Sequence, residues 1–248
     1  MLTQTQGGGV LDTECPLACG TCALAPVTVY SPTACADPTQ ITNLRKEIRH
    51  LAADKTIARL GENIPFLHTL ESGWAFQFRM LSDRRRQILS FIIPGDIISL
   101  ELLLWDAPAL PFSVRSLTPV RLCTFERTAM KAVLGKTPAQ VTKLAEEAAT
   151  YMENVYRRTT DIGRRTARGR LAQLILELMS RLARRNLGSS ESFPFPLKQE
   201  HIADALGLTV VYVNRTLTNL RKDGIVEFDR QKMSILNLEA LQSIADED

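Results

Sequence analysis

Four of the five cysteines of this 248-residue chain lie within its first 35 residues. Three form the pattern Cys15-x3-Cys19-x2-Cys22, Cys35 follows, and Cys123 stands alone much further along the chain. Thiolates bind zinc and iron–sulfur clusters, and closely spaced thiols also form reversible disulfides. No apolar run is long enough to cross a membrane, and the N-terminus does not resemble a signal peptide, so we expect a cytoplasmic protein. In a reducing compartment, this crowding favours metal or redox chemistry over structural disulfides.

A second group of side chains has the types that contact DNA. The stretch Leu197–Asp223 predicts two short helices separated by a turn, with Thr209 as the N-cap of the second helix. In that helix Val213, Leu217 and Leu220 have the spacing of a buried stripe. The other face then carries Tyr212, Asn214, Arg215, Thr218, Asn219, Arg221 and Lys222. This layout is typical of a helix-turn-helix, whose second helix enters the major groove.

Positive charge concentrates just before this motif. Nine arginines lie between positions 157 and 185, against only Asp161 and Glu177. We interpret the run as a phosphate-binding surface because it adjoins the helix-turn-helix; a solvated basic face is the alternative. No Ser-His-Asp order, phosphate-binding loop or paired-carboxylate pocket stands out, and the chain has three histidines, so we expect no enzymatic activity.

The elements that must position these residues begin with short strands. A period of two is clearest in Trp74, Phe76, Phe78 and Met80. Further strands are predicted at 87–93, 112–115 and 120–125, and a helix at 38–53 precedes them. This density of short strands and turns predicts an antiparallel roll or barrel.

A long helix follows the strands, with Thr137 as its cap and Pro138 at its first position. Its apolar residues repeat with the heptad spacing of a parallel two-helix dimer, whereas packing against its own barrel is the alternative. The expected dimer seam is Val141, Leu144, Ala148, Tyr151, Val155 and Ile162. Arg158 interrupts this seam near its end.

The C-terminal third predicts a helix at 165–185, a loop at 186–196, the helix-turn-helix, two wing strands at 225–228 and 233–236, and a tail helix at 238–245. Three motifs stand out along the chain: Pro94-Gly95-Asp96, Arg168-x-Arg170-Leu171-Ala172-x-Leu174, and Ala203…Gly207-Leu208-Thr209…Val213-x-Arg215. With these motifs and this order of parts, residues 38–240 resemble the CRP/FNR family of bacterial transcription regulators.

The resemblance implies an α+β fold with an N-terminal antiparallel β-roll of the cyclic-nucleotide-binding kind, a long dimerisation helix and a C-terminal winged helix-turn-helix. The expected bounds are a flexible cysteine-containing arm at 1–37, the roll at 38–136, the dimerisation helix at 137–163 and the DNA-binding domain at 164–248.

The founding branch of the family binds cyclic AMP through a Gly-Glu pair and an Arg-Ser pair. Here Ser99-Leu100 and Leu110-Pro111 stand at those positions, so a buried phosphodiester would lack its carboxylate and its guanidinium. We therefore expect no cyclic nucleotide, although Arg115 nearby would supply a substitute guanidinium.

Resemblance to the oxygen-responsive FNR branch implies a [4Fe-4S] cluster. Its ligands would be Cys15, Cys19, Cys22 and Cys123. Thr28 stands where that branch has another arm cysteine, and Cys35 would replace Cys15 in an alternative set. The alternatives are zinc, a reversible arm disulfide, unligated thiols, and a haem or small-molecule receptor with His50, His68 or Cys123 as an axial ligand.

The family further implies a homodimer that binds a palindromic double-stranded operator, with RNA polymerase as a partner and no membrane association. Arg215 would contact guanine and Asn214 adenine, while Val211 stands where relatives often carry glutamate and would touch a thymine methyl. The full expected contact set is Lys198, Thr209, Val211, Tyr212, Asn214, Arg215, Thr218, Arg221 and Lys222. Loss of the cluster to oxygen would lower DNA affinity.

Overall fold

The computed structural model describes residues 11–12, 19, 22–24, 28, 38–104 and 109–247. Cys15 and Cys35 lie outside these residues. The chain divides into two compact units, one of residues 1–75 and 92–143, the other of residues 76–91 and 144–248. Over the described ranges, no helix has the length and apolarity needed to span a bilayer.

A five-stranded sheet forms the centre of the first unit. Its strands are β1 (Leu11–Asp12), β2 (Arg45–Leu51), β4 (Phe66–Ser72), β7 (Ile97–Ile98) and β9 (Val120–Glu126), in the spatial order β1-β2-β9-β4-β7. Neighbouring strands are antiparallel, and Ile48, Cys123 and Thr69 lie side by side across β2, β9 and β4. Leu67, Leu70 and Leu122 are among the side chains buried in its core.

The prediction of one helix at 38–53 is wrong. Helix α1 ends after seven residues (Pro38–Leu44), and the chain continues directly as strand β2. Ile41 and Ile48 are both buried, as the helical spacing predicted, but Ile48 is buried as the cross-strand neighbour of Cys123. Pairing with β9 along the whole of β2 outweighs the local helical pattern.

The second sheet contains β3 (Thr56–Ala58), β5 (Ala75–Met80), β6 (Arg86–Ile92) and β8 (Ser113–Ser116), in the order β3-β8-β5-β6. Strands β2 to β9 are eight strands, distributed over the two sheets. The predicted strand at 74–80 is confirmed, but Ala75 and Gln77 are buried together with Trp74, Phe76 and Phe78, whereas Met80 is exposed.

Two short helices were not predicted, α2 (Glu101–Leu104) and α3 (Arg127–Leu134). The long helix α4 (Pro138–Arg164) starts where expected, and the amide of Gln140 donates to the Thr137 hydroxyl at 3.3 Å. This bond satisfies one of the unpaired amides at the start of the helix, so the predicted cap is confirmed.

The second unit continues with α5 (Ala167–Ala183), β10 (Ser192–Pro194), α6 (Gln199–Leu206), α7 (Val210–Lys222), β11 (Val226–Asp229), β12 (Lys232–Ile235) and α8 (Leu238–Ala245). The two predicted wing strands and the tail helix are confirmed. The wing has a third strand, because β10 in the predicted loop pairs with β12 and gives the order β10-β12-β11. Leu171, Ile175, Val226, Met233 and Leu241 are fully buried in this unit.

Candidate nucleic-acid interface

The turn between α6 and α7 is built from Gly207 and Thr209. Gly207 has a φ of 66°, in the left-handed region that ends helices, and its amide donates to the Ala203 carbonyl. The hydroxyl of Thr209 then accepts a hydrogen bond from the amide of Tyr212 at 3.2 Å. The predicted N-cap is confirmed, and the direction in which α7 leaves the turn is fixed.

The inner face of α7 differs slightly from the prediction. Val213 and Leu220 are completely buried, but Leu217 is only half-buried. Thr216 is buried instead. Its hydroxyl donates to the Tyr212 carbonyl one turn earlier, at 2.9 Å, so this polar group is not left unpaired by burial.

The outer face of α7 presents the predicted side chains together. Val211 is 79% exposed, which is unusual for a valine within a helix. The exposed members of the expected contact set on this helix are Val211, Tyr212, Asn214, Arg215, Thr218, Arg221 and Lys222. Val210, at 41% exposure, also reaches this surface and was not predicted.

Two contacts orient polar side chains on this face. The guanidinium carbon of Arg215 lies 4.7 Å from the centroid of the Tyr212 ring. The side-chain amide of Asn214 donates to Gln199 Oε1 at 3.2 Å. Gln199 was missed from the sequence, although a polar residue at the first position of the preceding helix is a signal that would have pointed to it.

Lys198 is exposed immediately before α6. Its amide donates to Nδ1 of His201 at 3.1 Å, which requires that nitrogen to be unprotonated. Burial, followed by the positive charges of Arg86 and Lys198, holds the pKa of His201 below its usual value and so favours the accepting form. At the other end of α7, Arg221 is 3.9 Å from Glu227, and both side chains are mostly exposed.

Three of the nine arginines in the run pair inside the fold and are not free to form a phosphate-binding face. Arg158 and Arg181 share the buried carboxylate of Glu177, at 3.3 and 3.1 Å. Arg165 pairs with Asp161 at 2.8 Å and also donates to the carbonyl of Ala245. The expectation is wrong for these arginines, since internal carboxylates and carbonyls satisfy their charge and donors.

Helix α4 presents much of the predicted dimer seam to solvent. Val141, Val155 and Ile162 are exposed, while Leu144, Ala148 and Tyr151 are half-buried. Met152 and Tyr156 add exposed apolar surface that was not predicted. Arg158 forms an ion pair with Glu177, and this pairing explains why an arginine interrupts the apolar seam.

Cys19 of the expected arm lies near the start of β2. The amide of Cys19 donates to the Thr42 hydroxyl at 2.9 Å, and Nη1 of Arg45 is 3.8 Å from Cys19 Sγ. The amide of Cys22 contacts the Cys19 carbonyl at 3.4 Å, and Cys123 is half-buried in β9. Within the described ranges, no three histidine, cysteine or acidic side chains form a group that could hold a metal ion.

His68 is a core residue of β4. It is 4% exposed, and its Nδ1 lies 3.1 Å from the hydroxyl of Thr124 on β9. Burial, reinforced by the charge of Arg49, lowers the pKa of His68 to about 3. The imidazole is therefore neutral and hydrogen-bonded within the sheet. Ser99 and Leu110, at the positions considered for a cyclic nucleotide, are also buried.

Known proteins share this arrangement in the same order along the chain. A family model for the cyclic nucleotide-binding domain matches residues 48–137, and one for the Crp-like helix-turn-helix domain matches residues 169–244. The chain belongs to the CRP/FNR family of transcription regulators. This confirms the expected fold and the expectation that the protein is a DNA-binding regulator and not an enzyme.

Relatives of this CRP/FNR protein extend over most of its length. The nitrogen fixation regulation protein FixK of Bradyrhizobium diazoefficiens is 26% identical over 227 residues, which are 92% of this chain and 93% of FixK. The transcriptional activator protein FnrL of Cereibacter sphaeroides is 25% identical over 228 residues, 90% of each chain. These relatives support a place in the FNR-like branch. The structure of FixK2 from Bradyrhizobium japonicum shares the fold, with a TM-score of 0.71, 24% identity, and coverage of 81% of this chain and 98% of that one.

Proposed function

We propose that this regulator binds a palindromic DNA operator as a homodimer, with one α7 helix from each copy in successive major grooves about 34 Å apart. The observation that carries the proposal is the outer face of α7, where Arg215 and Asn214 lie exposed beside the strongly exposed Val211. Because Val213, Thr216 and Leu220 are buried on the opposite face of α7, the exposed side chains form one continuous surface.

The bases that this surface would read follow from its side chains. Arg215 offers two parallel donors to O6 and N7 of guanine, which is worth about 1–3 kcal/mol of discrimination against other bases. Asn214 offers a donor and an acceptor to adenine. Val211 has neither a donor nor an acceptor, so it would contact the C5 methyl group of thymine.

Phosphate contacts would set the position of the helix on DNA. Thr209 lies at the start of α7, Arg221 and Lys222 lie at its end, and Lys198 lies immediately before α6, so these residues surround the reading residues and are suited to this role. Thr218 adds a hydroxyl. The hydroxyl of Thr209 accepts from Tyr212 and keeps its own hydrogen for a phosphate oxygen.

Dimerisation would cover the exposed apolar residues of α4. Val141, Val155 and Ile162 recur on one side of this helix, and a second copy of the helix buries them without any change in fold. RNA polymerase would be the partner of the DNA-bound dimer, in the cytoplasm.

The signal would be oxygen, acting through thiolates of the N-terminal arm. Cys19, Cys22 and Cys123 would hold an iron–sulfur cluster, with Cys15 or Cys35 as the fourth ligand. The bonds of Cys19 to Thr42 and Arg45 support a position of this thiol beside the roll. Within the described residues, no three such ligands come together, so this part of the chain does not form a cluster site by itself.

The base-reading role is tested on an operator selected by the wild-type protein from random double-stranded DNA. Arg215→Ala should lose the preference for one base pair, whereas Lys222→Ala should weaken every sequence alike and reduce the salt slope by about 1. An equal loss on all sequences for both variants would contradict the assignment of Arg215.

The signal is tested separately by purifying the protein without oxygen. Iron, acid-labile sulfide and visible absorbance are measured before and after exposure to air, with operator affinity followed in parallel. A cluster protein should lose iron, colour and affinity together. A colourless, iron-free protein that binds its operator equally well with and without air would exclude this signal, while a Soret band would favour a haem receptor instead.

A further inference from the structure

The contact between Tyr212 and Arg215 joins two exposed residues of α7. They are three positions apart, which places them one above the other on the helix surface. The guanidinium carbon of Arg215 is 4.7 Å from the ring centroid of Tyr212, within the range of a cation–π interaction.

A cation–π contact does not take up the donors of a guanidinium that stacks on the ring. The N–H groups of a guanidinium lie in its own plane, and a ring attracts the cation through its face. A carboxylate, in contrast, pairs with arginine through those in-plane donors. Guanine O6 and N7 accept from the same pair of donors. A ring partner therefore holds the side chain without competing with a base.

No carboxylate competes for Arg215 among the residues that the structure describes, where its one recorded partner is the Tyr212 ring. The residue one turn before it, at the spacing of a helical ion pair, is Val211, which carries no charge. Within this part of the chain, the Tyr212 ring is therefore the contact that can orient the guanidinium charge.

Tyr212 is itself held in place. Its amide donates to the hydroxyl of Thr209 at 3.2 Å, and its carbonyl accepts from the hydroxyl of Thr216 at 2.9 Å. Thr216 is buried, so the main chain that carries the ring is fixed both to the turn and to the inner face of the helix.

We propose that Tyr212 is a positioning residue for base recognition, whose ring orients Arg215 so that its paired donors face a guanine. The inference rests on the proposed function of α7 and deepens it, since it assigns the sharpness of guanine selection to Tyr212 acting through Arg215. Because a cation–π contact at an exposed site is modest, the ring should contribute roughly two- to fivefold to the guanine preference.

The experiment compares Tyr212→Leu, which removes the ring but keeps apolar volume, with Tyr212→Phe, which keeps the ring and removes the hydroxyl. The guanine is the one whose preference Arg215→Ala abolishes on the selected operator. For each variant, the ratio of Kd values with and without that guanine is measured by fluorescence anisotropy over a series of salt concentrations.

Tyr212→Leu should lower this ratio roughly two- to fivefold with an unchanged salt slope, and Tyr212→Phe should stay near the wild-type ratio. In an Arg215→Ala background, Tyr212→Leu should leave the base preference unchanged, because it acts through the arginine. A ratio in Tyr212→Leu equal to that of the wild type overturns the inference, and so does an equal loss in Tyr212→Phe, which would assign the effect to the hydroxyl.

Failure of the proposed function looks different. In that case the wild-type protein selects no sequence, or Arg215→Ala keeps every base preference, and the positioning role fails with it. Circular dichroism and thermal unfolding of each variant show whether α7 remains folded. We expect that it does, because the Tyr212 side chain is exposed.

Discussion

The guanidinium Nη2 of Arg86 lies 2.6 Å from the Oδ2 of Asp204. This ion pair joins the hairpin of β5 and β6 to the first helix of the helix-turn-helix, within the second unit of the molecule. The same guanidinium lies 4.9 Å from the Phe76 ring centroid, and Gln87 donates to the Ala205 carbonyl at 3.2 Å. Helix α6 is thus held by an ion pair and a main-chain contact from one hairpin.

A double-mutant cycle with Arg86→Met and Asp204→Asn should show a coupling of about 1 kcal/mol, since the pair is mostly shielded from solvent. Arg86→Met alone should cost more than Asp204→Asn because it also loses the contact with Phe76. Urea unfolding at one fixed protein concentration measures each free energy of unfolding. A coupling within error of zero would show that the ion pair does not stabilise the attachment of α6.

Glu177 should be far more important to stability than its single charge suggests. Burial alone would raise the pKa of this carboxyl, but Arg158 and Arg181 outweigh it and hold the pKa below its ordinary value. Glu177→Gln leaves two largely buried guanidiniums without their anion and should cost about 3–5 kcal/mol in the free energy of unfolding. Glu153→Gln is the matched control, because Glu153 pairs with Arg157 at 2.8 Å on the exposed surface and should cost less than about 0.5 kcal/mol.

The burial of His68 should make the free energy of unfolding depend on pH. Burial lowers its pKa from the usual value of 6.5 to about 3 in the fold, so between these values the unfolded chain binds a proton that the native protein excludes. The stability is fully present above the unfolded pKa and is lost as pH falls toward the folded pKa, by at most about 1.4 kcal/mol per pH unit. His68→Gln, which cannot titrate, should flatten the decline between pH 6.5 and 4 in denaturant titrations. An unchanged decline would mean that other groups cause it.

A charge in the α4 seam should separate the dimer. Val155→Glu places two carboxylates opposite each other in a parallel pair of helices and should shift the protein toward monomer in analytical ultracentrifugation. Thr160→Glu adds the same charge to an exposed position on the opposite side of α4 and should leave the assembly state unchanged. If both variants remained dimeric to the same extent, the seam would lie elsewhere.

The sequence predicts this fold well where a local pattern and the tertiary contacts agree. The caps at Thr137 and Thr209 are confirmed because each is a bond between residues three apart. The helix prediction is wrong over residues 45–51 because Ile48 satisfies a helical spacing and a strand pairing equally well. Only the distant strand β9 decides between the two. The loop prediction is wrong over Ser192–Pro194 for the same reason, since the strand partner β12 lies about forty residues later.

The candidate site shows the same division. The exposed face of α7 follows from its period, whereas the bond between Gln199 and Asn214 is found only when α6 and α7 are placed together. The phosphate-binding expectation is wrong for Arg158, Arg165 and Arg181 because the sequence shows their charge but not their partners. The carboxylate of Glu177 serves both Arg158 and Arg181.

Because the partner of Arg215 is a ring and not a carboxylate, DNA affinity and sequence selectivity should respond differently to ionic strength. Salt screens an exposed ion pair, and a guanidinium held by a carboxylate would lose its orientation as salt is added. The Tyr212 ring holds Arg215 without cancelling its charge. Rising salt would therefore weaken binding to every DNA sequence through the phosphates while the relative ranking of operators stays the same.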